Sequence, residues 1–185
     1  IGQEIDEARM QVQQQKTLLE VLNRDLEMEK EKSDELLKNI LPDKVAEELK
    51  ASGEAKPEFF EDAGVLFTDF KGFTKLAQHM SAQELVSQLD HIFRAFDSLV
   101  SDHGIEKLKT IGDAYMCASG LPETSDGHLM DLIDAAWDIR SFMSELNTDR
   151  ENHGKNMWPI RIGIHVGPVV AGIIGSKKFA YDIWG

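Results

Sequence analysis

Residues 105–121 read IEKLKTIGDAYMCASGL. Two short apolar runs flank Gly112–Asp113, and Gly-Asp is a favoured two-residue turn, so the stretch predicts a β-hairpin. Upstream lies AQELVSQLDHIFRAFDSLVSDHG. Leu85, Leu89, Ile92, Phe93, Phe96 and Leu99 give that helix one apolar face, Ser81 caps its start and Gly104 closes it. Further upstream, AGVLFTDF (63–70) is a short apolar strand, and FTKLAQHM (73–80) begins a helical stretch. Downstream, a second amphipathic helix runs from about Gly127 to Glu145. WPIRIGIHVGP (158–168) then reads as a strand and VVAGIIG (169–175) as another. The order β-α-β-β-α-β predicts an α+β, ferredoxin-like domain. That fold hosts many functions, so function must be argued from the site.

Residues 1–40 lack proline and are dominated by Gln, Glu, Lys and Leu. A heptad threads through them. Ile5, Val12, Leu19, Leu26, Ser33 and Ile40 occupy one seam position; Ile1, Ala8, Gln15, Leu22, Glu29 and Leu36 occupy the other. Gln15, Glu29 and Ser33 are poor seam residues, so a solvated single helix remains the alternative to a dimerising coiled coil. Pro42 interrupts the helix, a second short helical stretch follows, and KPEFFED reads as a linker. The expected division is a signalling helix over 1–41, a transducer helix and linker over 42–60, and a globular domain over 61–185.

The net charge is −13, which argues against nucleic-acid binding. A polyanionic substrate would need metals or a few placed cations. Cys117 is the single cysteine, so no internal disulfide can form and a reducing, cytoplasmic setting fits. No segment is long and apolar enough to span a membrane. The chain begins at Ile1 rather than Met, as expected of an excerpt whose sensor or membrane region lies upstream.

Two carboxylates carry the chemistry. Asp69 ends an apolar strand, and Gly72 lets the backbone turn so that its N–H groups face an anion. An acid beside such a turn makes sense when a cation sits between acid and phosphate. Asp113 occupies the hairpin turn, which this fold places beside the first strand. Each has a plainer reading, Asp69 as a helix cap and Asp113 as a turn residue. Together, two converging carboxylates resemble a two-metal phosphoryl-transfer site.

FTDFKGFT, EKLKTIGDAYMCASGLP, RIGIHVGPVVAGIIG and YDIWG resemble class III nucleotidyl cyclases in order and spacing. SDELLKNILPDKVAEEL is similar to the helical transducer that precedes many such domains. The resemblance implies that Asp69 and Asp113 bind two Mg2+ or Mn2+ ions, with the Phe70 carbonyl as a further ligand. It implies that Gly72, Phe73 and Thr74 hold the substrate phosphates and that Arg161 contacts them; the plainer reading of Arg161 is a surface ion pair. It places Lys109 and Asp182 at the positions that read the purine. A donor and an acceptor there complement adenine and mismatch guanine. The implied reaction is intramolecular: the ribose 3′-oxygen attacks the α-phosphorus and pyrophosphate leaves. None of His79, His91, His103, His128, His153 and His165 has the context of a general base.

The family's active site is shared between two subunits, so a homodimer is expected. A family helix carrying a transition-state Asn and Arg follows YDIWG, beyond Gly185, so this span alone is expected to have little activity. The reading is an adenylate cyclase regulated through its N-terminal helix. A guanylate cyclase and a non-catalytic cyclase-like dimerisation module are the alternatives.

Overall fold

The structure, a computed structural model, describes residues 2–175 and 178–185. The first helix, α1, spans Gly2–Lys38, two residues short of the expected end. Ile1, one of the seam positions, lies outside the described residues. Val12, Leu19, Leu22, Leu26, Leu36 and Ile40 are all more than half exposed in the single chain. A second helix, α2 (Asp43–Ser52), starts after Pro42 and ends at Gly53, whose left-handed backbone sends its N–H to the Leu49 carbonyl. None of the helices among the described residues is long and apolar enough to cross a membrane.

The strand β1 runs Glu58–Phe70, and α3 (Phe73–Ala77) and α4 (Ala82–Asp102) follow. The hairpin is β2 (Glu106–Ile111) with β3 (Ala114–Ser119). Then come α5 (His128–Asn152), β4 (Ile160–Ile173) and β5 (Tyr181–Trp184). The sheet order is β2-β3-β1-β4-β5, with every neighbouring pair antiparallel. The βαββαβ order therefore holds, with β5 added outside β4. Ser81 caps α4 as expected, in a capping box with Glu84.

Four expectations change. The helix α5, expected to end near Glu145, runs on to Asn152. Residues 58–62, read as linker, belong to β1: Glu58, Phe59 and Phe60 pair with the far end of β4, and Glu61 and Asp62 continue the strand through a register shift. The helical stretch after Gly72 is only five residues. The two strands expected over 158–175 are one, continuous through Gly167–Pro168. Pro168 lacks an N–H and should break a ladder, but it sits at a bulge. Phe60 pairs with Val169 and Ala63 with Gly167, so Glu61 and Asp62 together oppose Pro168.

Alternation along β1 separates two cores. Leu66 and Phe70 point toward α4 and α5, packing with Ile92, Phe96, Tyr115 and Trp158. Ala63 and Val65 point to the other face, where Leu41, Val45 and Ala46 of the α2 region cover part of the sheet. Leu108 and Ile183 join this second cluster. The sheet curls enough that its two edge strands, β2 and β5, meet there.

Two stability predictions follow from this packing. Gly120 has φ +79, and a Cβ there would stand 2.8 Å from the Asp62 carbonyl oxygen and 2.8 Å from the His128 ring. Gly120→Ala is expected to destabilise the fold by about 2–4 kcal/mol, combining left-handed strain with overpacking, as read by urea denaturation.

Glu106 starts β2 near Asp43 of α2, and burial, reinforced by the Asp43 charge, pushes its carboxyl from 4.5 up to about 7. The folded state holds this proton more tightly than the unfolded chain. Burial of Glu106 is therefore tolerated below its ordinary range and destabilises progressively as pH rises through about 7. Glu106→Gln should match the parent chain at pH ~4 and exceed it by about 2–3 kcal/mol at pH ~8. Denaturation curves at the two pH values check this.

Candidate active site

The end of β1 places Asp69 directly opposite Arg161 of β4, since the two are Cα partners in the ladder. Their side chains form a two-pronged pair. Arg161 Nε donates to Asp69 Oδ1 at 2.6 Å, and the second guanidinium nitrogen donates to Oδ2 at 2.5 Å. The fork matches carboxylate geometry, as it would match a phosphate. Asp69 holds the guanidinium's pKa above its ordinary value, with a smaller contribution from Asp113.

Asp113 follows Gly112, whose φ of +63 makes the tight turn possible. The Phe70 N–H donates to Asp113 Oδ2 at 3.4 Å. Asp69 and Asp113 therefore converge at one end of the sheet, as the topology predicts, and Arg161 joins them there. Among the described residues no third His, Cys, Asp or Glu joins them. The side-chain donor set is two carboxylates, both hard oxygen ligands. That fits Mg2+ or Mn2+, which bind through one or two carboxylates and otherwise through substrate phosphate and water.

Beyond Phe70 the chain turns at Gly72, with φ 77 and ψ 19. A side chain at Gly72 would meet no atom within 4 Å, so its conformation rather than crowding calls for glycine. Gly72 and Thr74 are exposed, and the Phe73 ring is half-buried. The phenyl of Phe70 is in the core at 2% exposure, so only its backbone can serve the site.

Lys109 and Asp182 come together although they sit on strands at opposite edges of the sheet. Lys109 Nζ donates to Asp182 Oδ2, and the Ile183 N–H donates to Asp182 Oδ1 at 3.0 Å. Asp182 pairs with Gly172 near the end of β4, whereas Asp69 pairs with Arg161 near its start.

Two clefts that share Phe67 and Gly163 run from the Asp69 end of the sheet toward Ile183. One, of about 340 Å3, is lined by Phe67, Asp69, Ala114, Arg161 and Gly163. The other, of about 440 Å3, shares Phe67 and Gly163 and reaches His165 and Ile183. Both volumes lie in the range of small-ligand sites. His165 is flanked on its strand face by Gly163 and Gly167, and Val65 stands opposite it.

Residues 55–185 match the family model described as the adenylate and guanylate cyclase catalytic domain. The chain belongs to this family of class III nucleotide cyclase domains. An adenylate cyclase of Mycobacterium tuberculosis is 41% identical over 161 residues, covering 86% of this chain and 35% of the relative. Bovine retinal guanylyl cyclase 1 is 38% identical over 187 residues, covering 98% of this chain and 17% of the relative. The cyclase chain thus spans about a third or less of the length of these two relatives. The crystallised catalytic core of a rhodopsin-guanylyl cyclase with converted specificity, in complex with ATPαS, superposes with a TM-score of 0.64 at 29% identity. It covers 70% of this chain and 68% of that one. Residues 2–49 match a second model, described as heme NO binding associated.

Two features of this candidate site were missed from sequence. One is the direct Asp69–Arg161 pairing, which strand-face counting could have found had the bulge been known. The other is the support beneath Phe70, which comes from a loop without any motif.

Proposed function

We propose that this domain converts ATP to 3′,5′-cyclic AMP and pyrophosphate, with its catalytic sites formed between two copies of the chain. The observation that carries the choice of ATP is the Lys109–Asp182 pair. It holds an obligate donor beside an obligate acceptor, the pattern that complements adenine N1 and N6. Guanine would face both groups with the wrong partner, at about 1–3 kcal/mol for each unmet buried group. Guanylyl cyclases are also among the relatives, so GTP is the second reading.

In the reaction the 3′-oxygen forms a bond to the α-phosphorus and the bond to the β-phosphate oxygen breaks. The 3′-hydroxyl proton goes to solvent. Asp69 and Asp113, with the Phe70 carbonyl, would hold Mg2+ or Mn2+, which supplies charge neutralisation and acidifies the hydroxyl. Arg161 turns its fork to the triphosphate, and Gly72, Phe73 and Thr74 form the turn that receives the phosphates. Lys109 and Asp182 orient the base. The metal-holding carboxylates come from one copy and the base readers from the other, with α1 pairing as a coiled coil.

The similarity of residues 2–49 to the heme NO binding associated family makes an upstream gas-sensing region the expected source of regulation, with this part of the chain in the cytoplasm. The test is turnover of Mg-ATP and Mg-GTP by the full-length protein, with the product identified by mass. Cyclic AMP as the main product is expected. Cyclic GMP from an equimolar mixture would overturn the choice of ATP, and no cyclic product from either would overturn the catalytic reading.

A further inference from the structure

Residues 153–159, between α5 and β4, carry no chemical motif, yet they support the segment that bears Asp69. Trp158 is fully buried at 0% exposure. Its ring meets Phe70 edge-on, with centroids 5.1 Å apart and planes at 87°, and lies 6.1 Å from Phe73. Phe70 follows Asp69 directly, and Phe73 follows Gly72. The indole thus touches both aromatic anchors of the turn from Asp69 to Thr74. One residue on, the Pro159 carbonyl accepts from the Lys71 N–H at 2.8 Å.

Trp158 is in turn held at its backbone. Asn147 of α5 donates through Nδ2 to the Trp158 carbonyl at 3.0 Å and accepts from the Trp158 N–H at 2.6 Å. This is the two-way pairing that a neighbouring strand would provide. A second brace lies beneath. Arg150, 8% exposed, donates to the Asn156 carbonyl at 2.6 Å and to Gln88 of α4 at 2.7 Å. Among the described residues the indole N–H has no hydrogen-bond partner. The ring is therefore placed by packing and by its clamped backbone, not by its own hydrogen bond.

We propose that Trp158, fixed by the Asn147 clamp, is a positioning residue for the metal and phosphate half of the site. It seats Phe70 and Phe73, and so sets where the Phe70 carbonyl and the Gly72–Thr74 turn stand relative to Asp69 and Asp113. This rests on the cyclase reading of the Asp69 site. It makes no contact with Lys109 or Asp182, so it bears on phosphate and metal affinity and leaves base choice alone.

The test uses Mn2+ with inorganic pyrophosphate, which reports this half without a purine. Binding is read by the loss of the free-Mn2+ paramagnetic resonance signal, on the full-length protein well below its unfolding transition. Asn147→Ala and Trp158→Ala should each weaken binding about tenfold or more, the usual effect of removing support behind a metal ligand. Trp158→Phe, which keeps a ring against Phe70 and Phe73, should restore most of the affinity. The ATP-to-GTP preference should not move in any of them.

A purely structural role would lower the melting temperature and leave the affinity of the folded protein at its parent value; that result overturns the proposal. Asp69→Ala separates the two levels. If it loses binding while Asn147→Ala does not, the positioning role fails alone. If Asp69→Ala binds as the parent does, the metal reading itself fails. Should Trp158→Ala not fold, Asn147→Asp keeps the acceptor, gives up the donor and is expected to weaken binding in the same direction.

Discussion

Asp69→Ala is expected to lower cyclase turnover by roughly a thousandfold or more, on the scale of losing a principal charge-stabilising group. Two effects act together. The site loses one of two carboxylates able to hold a divalent cation, and Asp113 alone offers a single anionic ligand. Arg161 also loses the partner that sets its fork across the end of the sheet. The variant should fold, because the Asp69 side chain lies at the exposed sheet end and takes no part in either core. Asp69→Asn sharpens the result. It keeps the shape and removes the charge, so it should be nearly as inactive, with an unchanged melting temperature. Turnover of Mg-ATP and Mn-ATP by the full-length protein measures both. Retention of more than about a tenth of the parent rate in Asp69→Asn would remove this residue from the catalytic machinery.

The second large effect is on the base. Lys109→Glu combined with Asp182→Cys should invert the nucleotide preference from ATP toward GTP by about a hundredfold or more. Two mismatched contacts at about 1–3 kcal/mol each are exchanged for matched ones. The pairing in the structure explains why both must change. Lys109 donates directly to Asp182, so Lys109→Glu alone would set two carboxylates against each other beside Leu108 and Ile183. That single variant is expected to lose affinity for both nucleotides and gain neither. Competition between ATP and GTP, scored by cyclic product, reads the inversion. A double variant that still prefers ATP would show that the base is read elsewhere.

The order of elements was legible because it depends on local signals. The Gly112–Asp113 turn, the Ser81 cap and the apolar face of α4 each announce themselves within a few residues. The convergence of Asp69 and Asp113 followed once the hairpin was placed beside β1. What escaped sequence reasoning was non-local. β1 extends back to Glu58 because β4 is long enough to pair with it, and β4 survives Pro168 because β1 supplies the extra residue opposite. Neither strand reveals this alone. The Lys109–Asp182 contact depends on the curl of the whole sheet, which brings two edges together. Family resemblance named both residues but could not say that they touch. Trp158 and Asn147 escaped because an asparagine inside a helix and a tryptophan before a proline carry no functional signature.

The bulge opposite Pro168 has a consequence for how such chains can vary in length. On one side of it the paired residue numbers of β1 and β4 add to one constant, and on the other side to a constant larger by one. A single-residue deletion between Pro168 and Arg161 would swing Arg161 to the helix-covered side and leave Asp69 facing a neighbour of the wrong kind. Within the ladder, length changes must therefore come in pairs to preserve the faces. The bulge is where an odd residue can be absorbed. Aligned relatives should carry their single-residue gaps at 61–62 or 168 and avoid them between 161 and 167.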